Sequence, residues 1–250
     1  MEKRDDHNGT DRRKFLGQLT FGAATMGMAG LLTPLQSLQA GAGPLAGHDA
    51  LLAGVSTGPG TGASLAEPDE WFKKIKGKHR IVFDVVRPNE IMPFAWPRVF
   101  LLTNQATGTM ANDCNVVVVL RHDGIPYAFQ SELWAKYNFG EVFKADDPAT
   151  KKPSTRNPFW QPGKDDFKIP GFGAVQIGIN ELQDSGVMFC VCDAAMTVYS
   201  AVIAEKMQKD AAEVKKEWIA GLLPGIQVMP SGVWAVGRAQ EHGCTYCYAG

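Results

Sequence analysis

The sequence predicts a doubly wound α/β fold with a mostly parallel sheet, and three observations carry that expectation. Continuous apolar runs of strand length recur, such as Arg80-Ile-Val-Phe-Asp-Val-Val86 and Cys114-Asn-Val-Val-Val-Val-Leu120. Runs without polar alternation suit strands covered on both faces. Between them lie segments whose apolar residues fall at helical spacing. The alternation of strand and helix repeats four times, as a sheet with helices on both faces requires.

Taken in order, the first strand spans 80–86, and a helix follows over 97–110 with Val99, Leu102, Ala106 and Met110 at helical spacing. The second strand is 114–120. A short helix is expected over 131–137, with Ser131 as a candidate N-cap. Residues 173–184 predict another helix and 187–192 the third strand. A helical region covers 194–223, broken near Lys209-Asp210. The fourth strand is 225–229, and Ser231 is placed to cap a helix over 232–241. Residues 244–249 close the chain as a possible last strand.

Upstream of these elements, Asp11-Arg12-Arg13-Lys14-Phe15-Leu16 leads into a weakly apolar stretch that ends near Ala40-Gly41-Ala42. A charged start, paired arginines, a mild apolar region and a small-residue cleavage pattern predict a twin-arginine export signal over residues 1–42. Four glycines and a glutamine between Phe15 and Leu35 make that stretch a poor permanent span, so no stable membrane span is expected after cleavage. The implied partner is the twin-arginine export machinery, and the implied location is the periplasm or another extracytoplasmic space. Residues 43–70 are rich in Gly, Ala, Ser, Thr and Pro and predict a flexible linker. Residues 71–250 then form the α/β domain.

Beyond residue 42 stand 20 basic and 22 acidic residues, a balance near −2. That balance argues against a general nucleic-acid binder or a membrane-surface protein. The domain carries one long insertion, 138–172, with prolines at 148, 153, 158, 162 and 170 and several charged pairs. Such a loop is expected to be a lid, an interaction arm or disordered. Phe159-Trp160 in its middle can dock on the domain or a partner, against the alternative of a solvated tether.

Ligands of open parallel sheets bind beyond the carboxyl ends of the strands. The residues that follow the strands are therefore the candidates: Arg87, Pro88 and Asn89; His122, Asp123 and Gly124; Cys192 and Asp193; Met229, Pro230 and Ser231. Asn89, Asp193 and Ser231 are candidate ligand-binding residues. Cys192 is expected at a helix N-terminus, where free backbone N–H groups favour a thiolate. With His122 on the same rim, Cys192 is the candidate reacting group, and Cys190 and Cys114 read as packing residues. Asp84 reads as a strand residue rather than a catalytic acid.

Glu241-His242-Gly243-Cys244-Thr245-Tyr246-Cys247 offers a second possibility. Cys244, Cys247 and His242 are soft donors that suit zinc or copper. In an extended strand the two cysteines point to opposite faces, so a shared ion or a disulfide needs a turn there. No second C-x-x-C pair completes a four-thiolate site. A Gly-x-Gly-x-x-Gly after the first strand, a phosphate-binding lysine loop and a Gly-x-Ser-x-Gly elbow are also absent.

In the order and wording of its segments the chain resembles the DsrE/DsrF-like family of sulfur-metabolism proteins. The segments are Val116-Val-Val-Val-Leu-Arg-His-Asp-Gly124, Gly186-Val-Met-Phe-Cys-Val-Cys192, Leu223-Pro-Gly-Ile-Gln-Val-Met-Pro-Ser-Gly-Val233 and Ala239-Gln-Glu-His-Gly243. The resemblance covers about residues 79–249 without the 138–172 insertion. It implies flavodoxin-like layers, a homo-oligomer and, at Cys192, a cysteine that accepts sulfur as a persulfide and passes it on. The implied partners are small sulfur species or a thiol-bearing protein. Three functions are therefore expected in rank: sulfur or thiol handling through Cys192, soft-metal binding at the C-terminal cysteines, and a non-catalytic assembly module using the long loop.

Overall fold

The structure is a computed structural model that describes residues 68–250. The export signal expected over 1–42 and the linker expected from 43 lie outside the described residues, apart from the linker's last three positions. Those begin the first helix described, α1 (Pro68–Phe72). The strands of the main sheet are β1 (His79–Val85), β2 (Cys114–Leu120), β5 (Met188–Cys192), β6 (Ile226–Met229) and β7 (Thr245–Tyr248). Their order is β6-β5-β2-β1-β7, and every pair is parallel. This is the predicted doubly wound sheet.

Two packed layers sandwich it. On the first face lie α2 (Met92–Ala106), α3 (Ser131–Tyr137), α4 (Phe139–Val142), α5 (Ile179–Asp184), α6 (Asp193–Lys206) and α7 (Ala211–Ala220). Their buried residues Phe94, Trp134, Leu182, Met196 and Trp218 meet Phe83, Val118, Leu120, Phe189 and Val191 of the strands. On the second face α1 and α8 (Gly232–Glu241) bring Trp71, Phe72, Ala235 and Ala239 against Val82, Val117, Val119 and Cys190. Successive strand residues alternate between these cores, so both faces must be apolar; this is why the strands read as unbroken apolar runs.

Several elements differ from expectation. Helix α2 starts at Met92 rather than Pro97, because Pro93 fits a first turn whose N–H groups need no intrahelical partner. The helix ends at Ala106, so Met110 lies beyond it; Val99 and Leu102 turn outward, and the packed side is Phe94, Ala95 and Pro97. Ser131 is not the cap of α3; Gln130 holds that position, and the Ser131 hydroxyl accepts the Asn157 N–H at 3.3 Å. Residues 173–178 are not helical. Gly173 and Ala174 form β4, which pairs antiparallel with β3 (Lys168–Ile169), and α5 begins only at Ile179.

The 138–172 insertion is packed, not tethered. Phe159 is fully buried against Phe94, Tyr127 and Phe167. Asn157, also fully buried, donates from Nδ2 to the carbonyls of Tyr127 and Phe129, both at 2.9 Å, and accepts the Phe159 N–H at 3.1 Å. Gly140 lies so close to Ser154 that a Cβ there would stand 2.3 Å from its carbonyl oxygen. Among the described residues no helix is long and apolar enough to cross a membrane.

Candidate functional site at the carboxyl ends of the strands

The carboxyl ends of β1, β2, β5 and β7 bring three groupings together on one rim. The first surrounds Cys192. It closes β5 opposite Met229 and is at the same time the N-cap of the 14-residue helix α6. Its Sγ accepts the Ala195 N–H at 3.3 Å, one of the donors that a helix start leaves without a partner. Cys192 packs with the first-face cluster and keeps 6% of its surface exposed, whereas Cys190 is sealed in the second-face core at 0%. Burial, with Cys192 nearby, drives the Cys190 thiol up, which removes it from nucleophilic chemistry. Cys114 is also driven up, by burial first and then by Asp113.

A second grouping was not legible as a site in the sequence. Asp84, 1% exposed and next to last in β1, accepts from Arg121 Nε at 2.6 Å and Nη2 at 2.8 Å. The Tyr246 hydroxyl donates to its Oδ2 at 2.9 Å. The pair holds the Arg121 guanidinium protonated more firmly, chiefly through the Asp84 hydrogen bonds. Tyr246 is raised by burial first and then by Asp84. One signal was available: a carboxylate inside an apolar central strand requires a cation or donors. Which residues supply them depends on the fold, since Asp84 and Arg121 are 37 positions apart.

Third, His122 opens the turn after β2 with a left-handed backbone, φ 48°, and an exposed imidazole. Its Nδ1 is 3.2 Å from Asp123 Oδ2, and its ring stands edge-on to Tyr199. The Tyr199 hydroxyl donates to Asp123 Oδ1, and burial followed by that hydrogen bond raises the phenol. Asp123 also borders a crevice of about 440 Å³ with Arg87, Pro88, Asn89, Phe143, Lys144 and Gly250. Asn89 thus lines this crevice, whereas Cys192 and His122 are not among its lining residues. Another depression, about 540 Å³ along α7, lies away from the strand ends beside Tyr137 and Glu217.

The remaining candidates each have partners within the fold. Asp193 has both oxygens on Lys215 Nζ, at 2.8 and 2.9 Å, so it clamps α6 to α7. Ser231 caps α8 by accepting the Trp234 N–H at 3.1 Å. Cys244 and Cys247 fall on opposite faces: Cys244 is in the second-face core and Cys247 packs against the first. His242 stacks on Phe72 with ring centres 5.9 Å apart. Burial pushes the Cys244 thiol up to about 11, opposed by Arg80, and raises Cys247 as well. These three donors therefore do not fit a zinc or copper ion. No group of three or more His, Cys, Asp or Glu suited to a metal occurs among the described residues. All five cysteines are free thiols.

Comparison with known proteins adds little. No family model matches the chain, and no curated protein matches it. Among solved structures, it is similar to a protein of unknown function from Methanobacterium thermoautotrophicum at 19% identity. The match covers 68% of this chain and 98% of the other, with a TM-score of 0.31.

Proposed function

We propose that this chain is an exported, DsrE-like protein that handles sulfur through Cys192. The supporting observation is the position of that sulfur: at a strand's carboxyl end, it receives the Ala195 N–H at the start of α6. The positive end of a helix favours a thiolate over a thiol. Arg121, the residue after β2, follows Leu120 as Cys192 follows its register partner Val191, and its positive charge is held by Asp84. Cys192 keeps only 6% of its surface exposed, which favours a small sulfur species over a bulky protein thiol.

The step is a sulfur exchange that needs no external oxidant. The Cys192 thiolate attacks the terminal sulfur of a persulfide or polysulfide, R–S–S⁻. A new Cys192 S–S bond forms, the donor's S–S bond breaks, and R–S⁻ leaves and takes up a proton. The outgoing transfer is the same exchange in reverse, to an acceptor thiolate.

The test expresses the full-length chain and takes the protein recovered from the periplasmic fraction, reduced, then incubated with polysulfide and mapped by peptide mass spectrometry. One added sulfur atom is expected on Cys192 and none on Cys190, and the Cys192→Ser variant should take up none. Sulfur found only on other cysteines, or none at all, overturns the sulfur reading. Recovery from the cytoplasm alone removes its export part.

A further inference from the structure

Arg121 has more hydrogen-bonding capacity than its structural role consumes. Nε and Nη2 are committed to Asp84, while Nη1 makes no hydrogen bond among the described residues. A guanidinium offers donors on both edges of a rigid plane, so holding one edge presents the other in a fixed direction. The holding is thorough. Asp84 is 2% exposed at its side chain, takes both bonds, and is itself fixed by Tyr246. From the other side α8 presses on the Arg121 stem: a Cβ on Gly232 would stand 2.3 Å from Arg121 Cβ. Only a residue without a side chain lets the helix start come this close. A buried carboxylate is a costly way to anchor a surface arginine whose only purpose is solubility.

The register shows where that arginine stands. Leu120 pairs with Val191 across β2 and β5, so the next residues, Arg121 and Cys192, leave the sheet side by side. The Arg121 side chain is 25% exposed, against 2% for Asp84, so the group can meet an incoming solute. The rim therefore joins a nucleophilic sulfur to a clamped cation with a vacant donor edge.

From this juxtaposition we infer that Arg121 is the anion-recognition residue of the Cys192 site, and that the site selects negatively charged sulfur species over neutral ones. The inference rests on the sulfur reading above and gives it a substrate class: an anionic persulfide or polysulfide. Asp84 and Tyr246 are positioning residues that act through Arg121. A negative donor approaching a thiolate is repelled, and a fixed guanidinium offsets that repulsion during the encounter.

Two alkylating reagents of similar size separate charge recognition from thiol reactivity. Iodoacetate is an anion and iodoacetamide is neutral. In the full chain, site-resolved rates at Cys192 should favour iodoacetate relative to iodoacetamide, compared with a small free thiol measured in parallel. In Arg121→Met that relative preference should fall about tenfold, the scale of a lost charge-assisted hydrogen bond. Arg121→Lys should restore part of it, since it keeps the charge and its lower fold disturbance guards against misreading a damaged variant. Added salt should slow the iodoacetate reaction of the wild type and leave iodoacetamide unchanged. An unchanged reagent ratio in both variants, or no salt effect, overturns the inference while leaving Cys192 chemistry standing. A wild-type Cys192 that reacts with neither reagent overturns the sulfur reading itself.

Discussion

Asp84 occupies a strand position whose flanking side chains Phe83 and Val85 are buried hydrocarbon, and among the described residues Arg121 is the only cation bonded to it. Removing one partner of such a pair leaves an uncompensated charge, at a cost of about 3 kcal/mol, whereas removing both costs less. Asp84→Asn is therefore expected to lower the denaturant midpoint clearly, and Asp84→Asn with Arg121→Met to recover part of the loss. A double variant that is the sum of the two single losses would show that the pair is not coupled. At this scale the sequence was legible wherever the physics is local. Ser231 caps the helix that follows it, and Cys192 stands at the strand-to-helix changeover, because each needs only its next few neighbours. Arg121 and Tyr246 went unread as Asp84 partners because the parallel register of β1 with β2 and β7 brings them there. Lys215 went unread as the partner of Asp193 for the same reason, since it lies one helix further on.

The insertion over 138–172 is the element whose character the sequence concealed. Its prolines and charged pairs suggest a lid or tether, yet Asn157 answers three backbone groups and Phe159 fills the first-face core. Composition counts the polar residues at the surface of a loop; it does not reveal one buried amide that replaces secondary structure as the hydrogen-bond partner. Asn157→Ala strips partners from the carbonyls of Tyr127 and Phe129 and from the Phe159 N–H. A loss of about 3 kcal/mol is expected from these unsatisfied groups. Limited proteolysis should then cut first within 138–172, before the sheet opens; uniform cutting across the domain would contradict the proposed anchor. Helix α2 carries the complementary lesson. Spacing located a helical face at Val99 and Leu102, but both faces of that segment contain apolar residues, and packing chose Phe94 and Ala95. Periodicity defines a face without naming what covers it.

Across the whole molecule, titration bounds the range in which the two-sided core stays closed. Burial is the first cause that raises the phenols of Tyr127, Tyr137 and Tyr199 above the ordinary value of 10.0. Asp146, Glu217 and Asp123 respectively add negative charge or hydrogen bonds that act in the same direction. A raised folded-state value means that the unfolded chain releases these protons at lower pH. Their contribution is complete below the unfolded value and is lost as pH rises toward the folded ones. Glu217 works in the opposite sense: Lys136 first, then Tyr137, holds its carboxyl below the ordinary range, so its contribution is present above that range and fades as pH falls through the lowered value. Glu217 is 38% exposed, which screens the acid-side effect and leaves the alkaline edge the sharper of the two. Phenolate absorbance and far-ultraviolet circular dichroism recorded together over an alkaline titration should therefore change in one cooperative step for these three tyrosines. If all the phenols ionise near their ordinary value while the dichroism stays native, Tyr127 is not sealed between the insertion and the sheet. The packing of Phe94 and Phe159 around it, which holds residues 138–172 on the domain, would then be wrong as well.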